Sequence, residues 1–208
     1  MSYSDFTLDG ACRAFALDLD EYEDLFAGVS GTPVSPLLRA TLEEYVPLAT
    51  SIHTEKARSE FIVAPILAEV RRLMKHRISL FSGVDFNVDA LQGLNGTCDF
   101  ILAASPVQLV LRAPVLTVVE AKNDNIKSGL GQCVAEMVAA RTFNEREKNG
   151  PSTIHGAVTT GSLWRFLKLD GGTVYIDRIE YFLDPVGIVL AILLRCVGGD
   201  PSAAGAAA

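Results

Sequence analysis

Histidine, cysteine and long apolar runs are scarce in this sequence, and so is positive charge in its first quarter. The three histidines, His53, His76 and His155, are isolated, with no second His or Cys at zinc-binding spacing, which excludes the common zinc motifs. The four cysteines, Cys12, Cys98, Cys133 and Cys196, are widely separated, and the opening MSYSDF lacks the basic and apolar stretches of a secretory signal. They read as reduced thiols of a cytoplasmic protein. The longest apolar stretch, 186–197, has 12 residues and contains Arg195; it is too short to span a bilayer and reads as a buried C-terminal helix. Phosphate-loop and nucleophile-elbow patterns are missing, and Gly129-Leu130-Gly131-Gln132-Cys133-Val134 lacks the third small residue of a dinucleotide fingerprint.

What is present describes a globular domain. The chain has 208 residues, 49% of them apolar and 21% charged, which suits one domain with a substantial core and excludes a disordered or fibrous chain. The net charge of -7 counts against a uniformly basic protein that coats nucleic acid. That charge is local: residues 1–50 hold nine Asp or Glu against two Lys or Arg, whereas residues 51–208 hold sixteen of each. The spacing predicts an acidic N-terminal segment, 1–50, with a short helix at 18–26, a turn through Gly31 and Pro33, and a second helix over 36–45. Such a charged run reads as a solvated appendage on a main domain at 51–198. The tail 199–208 has no apolar residue larger than Ala and reads as mobile.

From Thr54 the apolar residues Phe61, Ile62, Ile66, Leu67, Val70, Leu73 and Met74 recur at helical intervals, predicting a helix to about Lys75 that Pro65 bends. On an ideal helix Glu60 falls about 20° from Leu67, at the edge of the apolar stripe, while Glu69 projects on the opposite side as an ordinary solvated charge. Strand-like runs follow at 78–88, 96–104 and 115–122, then a long helix at 127–147, strands at 153–160, 163–169 and 173–181 joined by hairpin turns, and a C-terminal helix opening near Asp184-Pro185.

Chemistry concentrates in the third strand. Leu116, Val118, Glu120 and Lys122 share one side of an otherwise apolar strand, so a carboxylate and an ammonium stand partly desolvated at its end. Mutual pairing or a metal ion would compensate them. Asp99 likewise interrupts the apolar run after Gly96; antiparallel pairing of the two strands would bring it to Glu120 as a second oxygen ligand, although an Asp after Asn95-Gly96 also suits a turn cap.

Asp99, twenty intervening residues, then Glu120-Ala121-Lys122 resembles the Asp-x(n)-Glu-x-Lys signature of the PD-(D/E)XK nuclease superfamily, which includes many restriction endonucleases. Glu60 on the preceding helix, Gln132 on the following one and the order helix, three strands, helix, strand match as well, over residues 50–182; Cys98 stands where the family has Pro. The resemblance implies an α/β fold, a mixed sheet flanked by helices in the order αβββαβ with added hairpin strands and a C-terminal helix. It further implies Mg2+ or Mn2+ on Asp99, Glu120 and the Ala121 carbonyl, with Glu60 completing the shell or holding a second ion. Lys122 would orient or activate the attacking water, and Gln132 would bond Lys122 or a phosphate oxygen. The implied substrate is nucleic acid, most simply DNA, steered by Arg58 and Lys127, with a homodimer as a common arrangement and no membrane partner. The alternatives are a Glu120–Lys122 pair that is only structural, Glu60 paired to a neighbouring base, an exposed Gln132, and a non-catalytic binding module on the same fold.

Overall fold

The computed structural model describes residues 1–201; the end of the expected mobile tail, 202–208, lies outside the described residues. A short turn at Tyr3–Asp5, of which Tyr3 is buried, leads into α1 (Leu8–Ala14), started by Thr7, whose side chain accepts the Gly10 N–H. Strand β1 (Asp18–Asp20) follows, then α2 (Pro36–Ile52), capped by Ser35 accepting the Leu38 N–H and stopped by left-handed His53. Thr54 caps α3 (Glu55–Arg58), which continues through a π-helical turn (Ser59–Val63) into α4 (Ala64–Leu73). The meander β2 (Ser79–Asp85), β3 (Thr97–Ala103) and β4 (Val115–Ala121) comes next, then α5 (Ile126–Arg146). Strands β5 (Ile154–Thr159), β6 (Leu163–Asp170) and β7 (Thr173–Phe182) and the helix α6 (Val186–Cys196) complete the order.

All seven strands form one mixed sheet in the order β1-β7-β6-β5-β4-β3-β2. The fold is therefore α/β, with helices on both faces. β4 lies antiparallel to β3 and parallel to β5, the crossover to β5 running through α5. Because side chains alternate across a strand, Val118 enters the core under α5 with Cys133, Val134 and Met137, while Val119 enters the core under α4 and α6 with Ile66, Phe100, Phe166 and Leu190. Trp164, within a strand, is fully buried. All four cysteines are free thiols. No helix among the described residues is long and apolar enough to cross a membrane.

Three features depart from the periodicity. Residues 18–26 are not a helix: Asp18–Asp20 add a parallel strand to β7, and the Asp20 carboxylate accepts the Tyr22 N–H to turn the chain away. The sheet edge offers these residues backbone partners, and edge pairing wins over a weak local helical pattern. The acidic segment is also not an appendage. Tyr3 and Ala11 are buried against the α5 side of the sheet and Leu38, Leu42 and Ala49 belong to the opposite core, so residues 1–50 are built into both layers. Finally, Glu69 is not solvated: it is 5% exposed and receives Nε and Nη2 of Arg72 at 2.7 and 2.8 Å, a two-pronged bond that holds its carboxyl below the usual range.

The π turn decides which helix residues face the sheet. Proline 65 has no N–H to donate to the preceding turn, and instead of a simple bend the helix widens, with the Ala64 N–H reaching back to the Ser59 carbonyl. A widened turn takes up about one extra residue, roughly 100° of helical phase. Every residue before it is rotated relative to an ideal projection from Leu67.

The N-terminal segment sits so close to α5 that a side chain has no room there: a Cβ on Gly131 would lie 2.3 Å from the Phe6 carbonyl oxygen. Gly131→Ala is therefore expected to destabilise the protein by about 1–3 kcal/mol, the usual cost of overpacking. Thermal denaturation checks this; an unchanged Tm would mean that the segment can lift off freely.

Candidate functional site

The β3–β4 register assembles the site. Phe100 pairs with Val119, so one step further out Asp99 stands opposite Glu120. Asp99 Oδ2 accepts the Ala121 N–H at 2.8 Å, and the Lys122 N–H extends β4 onto β5 by donating to the Thr159 carbonyl at 2.7 Å. Both strands are thus held to their last residue, and the two carboxylates stay on the α5 face. Lys122 Nζ donates to Glu120 Oε1 at 2.5 Å and lies 3.4 Å from Gln132 Oε1 on α5. Gln132 Nε2 in turn donates to Glu136 Oε1, one helical turn on, at 3.1 Å. Gly129 makes the approach possible, since a Cβ there would lie 2.7 Å from Val158 Cγ1 and 3.1 Å from Lys122 Cε.

The cluster is dry and unbalanced. Glu120 is 1% exposed and Glu136 fully buried, and each keeps one carboxylate oxygen, Oε2, with no hydrogen-bond partner. Burial, then the Asp99 charge, pushes the Glu120 carboxyl up to about 8 against the pull of Lys122. Glu136 is driven well above the carboxylate range by burial and by Glu120. Asp99 is raised by burial against the Ala121 N–H and Lys122. For Lys122, burial works against the ammonium, but Glu120 with Glu55 and Asp99 outweighs it and the group is raised. Three carboxyl groups therefore face one ammonium, and the excess of acid is what a cation would satisfy.

Asp99, Glu120, Lys122 and Gln132 are brought together as the sequence implied. Glu60, Arg58 and Lys127 are not. Glu60 is exposed and paired with Lys56 at 2.7 Å, because the π turn shifts it off the face that an ideal helix gives it. The acid of this helix whose charge acts on Glu120 and Lys122 is Glu55. Arg58 is buried at 8% exposure, its guanidinium donating to the Thr160 carbonyl at 3.0 Å and Ser162 Oγ at 3.3 Å. It fastens α3 to the β5–β6 turn and is not presented to a phosphate. Lys127 is exposed on the first turn of α5, lining a cavity of about 700 Å³ with Asp5 and Asp9. A larger cavity, about 890 Å³, lies between the start of α2 and the start of α6 and includes none of the cluster.

Glu136 and Glu55 are the residues that sequence reasoning missed. The only signal for Glu136 was its place between Ala135 and Met137, four residues after Gln132, on a helix that the sheet covers on one side and the N-terminal segment on the other. Among the described residues no group of three or more His, Cys, Asp or Glu side chains forms a ready-made cation cage. What the strand ends offer is sparser: two adjacent carboxylates, one buried oxygen without a partner, and the Ala121 carbonyl beside them. That set fits a hard ion such as Mg2+, which keeps several waters and takes one or two carboxylates together with substrate phosphates.

The raised Glu120 has a stability consequence. A glutamate titrates near 4.5 in the unfolded chain and near 8 here, so between those values the native state holds a proton that the unfolded state has released, and stability falls as pH rises. His155, lowered by burial, gives the opposite slope, so the informative quantity is a difference. In metal-free buffer the stability of Glu120→Gln relative to wild type is expected to increase from pH 5 to pH 8 in urea titrations; a constant difference would mean that Glu120 is ionised throughout. No protein-family model matches the chain and no curated protein matches it, and the chemistry of the cluster is read from its own residues.

Proposed function

We propose that the protein is a metal-dependent nuclease that hydrolyses phosphodiester bonds of nucleic acid, DNA in the first instance, in the manner of the PD-(D/E)XK superfamily that its sequence resembles. The observation that carries this reading is the placement of Asp99 and Glu120 side by side at the ends of β3 and β4, with Lys122 Nζ on Glu120. A purely structural pair would balance its charges, whereas this one adds half-buried Asp99 and fully buried Glu136 to the pair of Glu120 with a single ammonium. Such an arrangement is a poor source of stability.

Asp99, Glu120 and the Ala121 carbonyl are the groups that would hold Mg2+ or Mn2+. When bound, such an ion supplies Lewis-acid polarisation of a phosphate and an attacking water at neutral pH. The chain's own contribution follows from its geometry. The Ala121 N–H fixes the Asp99 carboxylate through Oδ2. Glu120, hydrogen-bonded by Lys122 through Oε1, keeps Oε2 buried and without a hydrogen-bond partner. Lys122, held between Glu120 and Gln132, places a fixed positive charge where negative charge would develop on the phosphate during attack. Glu55 adds negative potential from α3 and is the helix residue suited to strengthen cation binding.

Incubation with plasmid, single-stranded DNA and RNA in Mg2+, Mn2+ or EDTA tests the reading. Cleavage that requires the metal is expected, with Lys122→Ala lowering kcat on the order of 100- to 1,000-fold and Glu120→Ala abolishing it. If wild type and both variants cleave equally, or if the protein binds nucleic acid and never cuts it, the catalytic reading fails and a binding module takes its place. In calorimetric titration with Mn2+, Glu55→Gln is expected to weaken binding more than Glu60→Gln; the reverse order would return the helix acid to Glu60.

A further inference from the structure

Glu136 is an expensive residue without an evident partner in cost. It is fully buried in α5 among Cys133, Ala135, Met137 and Ala140, has no basic partner, and leaves Oε2 without a hydrogen bond. The N-terminal segment closes over this part of α5, with Phe6 and Thr7 against the backbone of Gly131. Its one bond is to Gln132, and that bond has a directional consequence.

The side-chain amide of glutamine is ambivalent: one end accepts and the other donates, and the two ends have nearly the same shape. Lys122 only donates. For Gln132 to help hold Lys122, its Oε1 and not its Nε2 must face the ammonium. Glu136 makes that choice. Lying four residues on, on the same helix face, its Oε1 accepts Gln132 Nε2 at 3.1 Å and leaves Gln132 Oε1 toward Lys122 Nζ at 3.4 Å. With an apolar side chain at 136 only the long 3.4 Å contact to Lys122 Nζ is left to hold this orientation, and Nε2 loses the acceptor that fixes it.

We propose that Glu136 is a positioning residue, whose function is to fix the Gln132 amide so that its carbonyl holds Lys122 in place beside Glu120. The proposal rests on the nuclease reading for its catalytic consequence, but the orientation of the amide is a property of the chain itself. It also accounts for the conflict between cost and retention: a buried polar group kept at the expense of stability is one whose geometry is used.

Glu136→Met and Glu136→Gln test it. Methionine conserves volume and removes the acceptor, whereas glutamine retains an oxygen that can accept from Gln132. Glu136→Met removes a buried carboxyl that has one unpartnered oxygen but also takes away the acceptor of Gln132 Nε2; the two effects oppose each other, and the Tm of this variant is expected to stay near that of wild type. Its kcat for metal-dependent cleavage falls on the order of tenfold with KM for DNA unchanged, and Glu136→Gln recovers most of the loss. The readout that does not depend on activity is the side-chain NH2 signal of Gln132 in 1H–15N spectra, assigned by Gln132→Ala. It is expected to be protected from hydrogen exchange in wild type and Glu136→Gln and to lose that protection in Glu136→Met. Unchanged protection in Glu136→Met, full activity of Glu136→Met, or a Glu136→Gln as impaired as Glu136→Met would each overturn the proposal. If wild type does not cleave with either metal, the nuclease reading falls and the amide signal alone decides the positioning role.

Discussion

One ammonium shared by two buried carboxyl groups and a half-buried third is the constraint around which this molecule is arranged. Lys122 cannot be moved far from Glu120 without leaving a buried carboxylate uncompensated. The surrounding structure is fitted to that requirement. Gly129 opens a channel for the lysine stem, Gln132 supplies a second acceptor, and the Asp99 carboxylate ties the ends of β3 and β4 together through the Ala121 N–H. Remove the lysine and Glu120 Oε1 loses its ammonium partner; remove Glu120 and the hydrogen bond left to the ammonium is the one to the Gln132 amide.

The acidic first 50 residues take on a different meaning in this setting. Their charges lie on the exposed side of elements that are otherwise part of the fold. Asp18 and Asp20 sit on an edge strand, where charge discourages pairing with another chain. Tyr3, Phe6 and α1 seal the outer side of α5 and so create the dry environment in which Glu136 and Glu120 have raised carboxyls. The net charge of -7 is therefore no measure of how the cluster would meet a phosphate: the surface acidity and the buried acidity have different neighbours and different roles.

The helices that flank the sheet divide the work. α5 supplies the polar side chains that touch Lys122, and its small residues, Gly129, Gly131, Ala135 and Ala139, allow both the sheet and the N-terminal segment to approach closely. The helix from Glu55 to Leu73 acts at longer range, through the charge of Glu55, and is anchored by Arg58 on the β5–β6 turn. An arginine that looks like a phosphate ligand in the sequence is in fact the bolt that keeps the neighbouring acid in position.

Much of the layout was legible from periodicity alone. The three strands of the meander, the crossover helix, the hairpins and the C-terminal helix lie within a few residues of where alternation and helical spacing put them, because those patterns record which side of each element meets the core. Asp99, Glu120 and Lys122 were legible for the same reason: charges in apolar strands stand out. What alternation could not carry is anything set by a partner distant in sequence. The strand at Asp18–Asp20 exists because β7 has a free edge, Glu69 is buried because Arg72 and Ser35 enclose it, and Gln132 and Glu136 are interior because the N-terminal segment covers a helix face that would otherwise be wet. The exchange of Glu60 for Glu55 turns on a single π turn, a local change of helical phase that an ideal wheel does not contain. The sequence by itself determined the elements and the acids at the strand ends, through local spacing and the cost of charge in an apolar run; only tertiary packing decided which faces stay dry, and with them which carboxyl groups share the lysine.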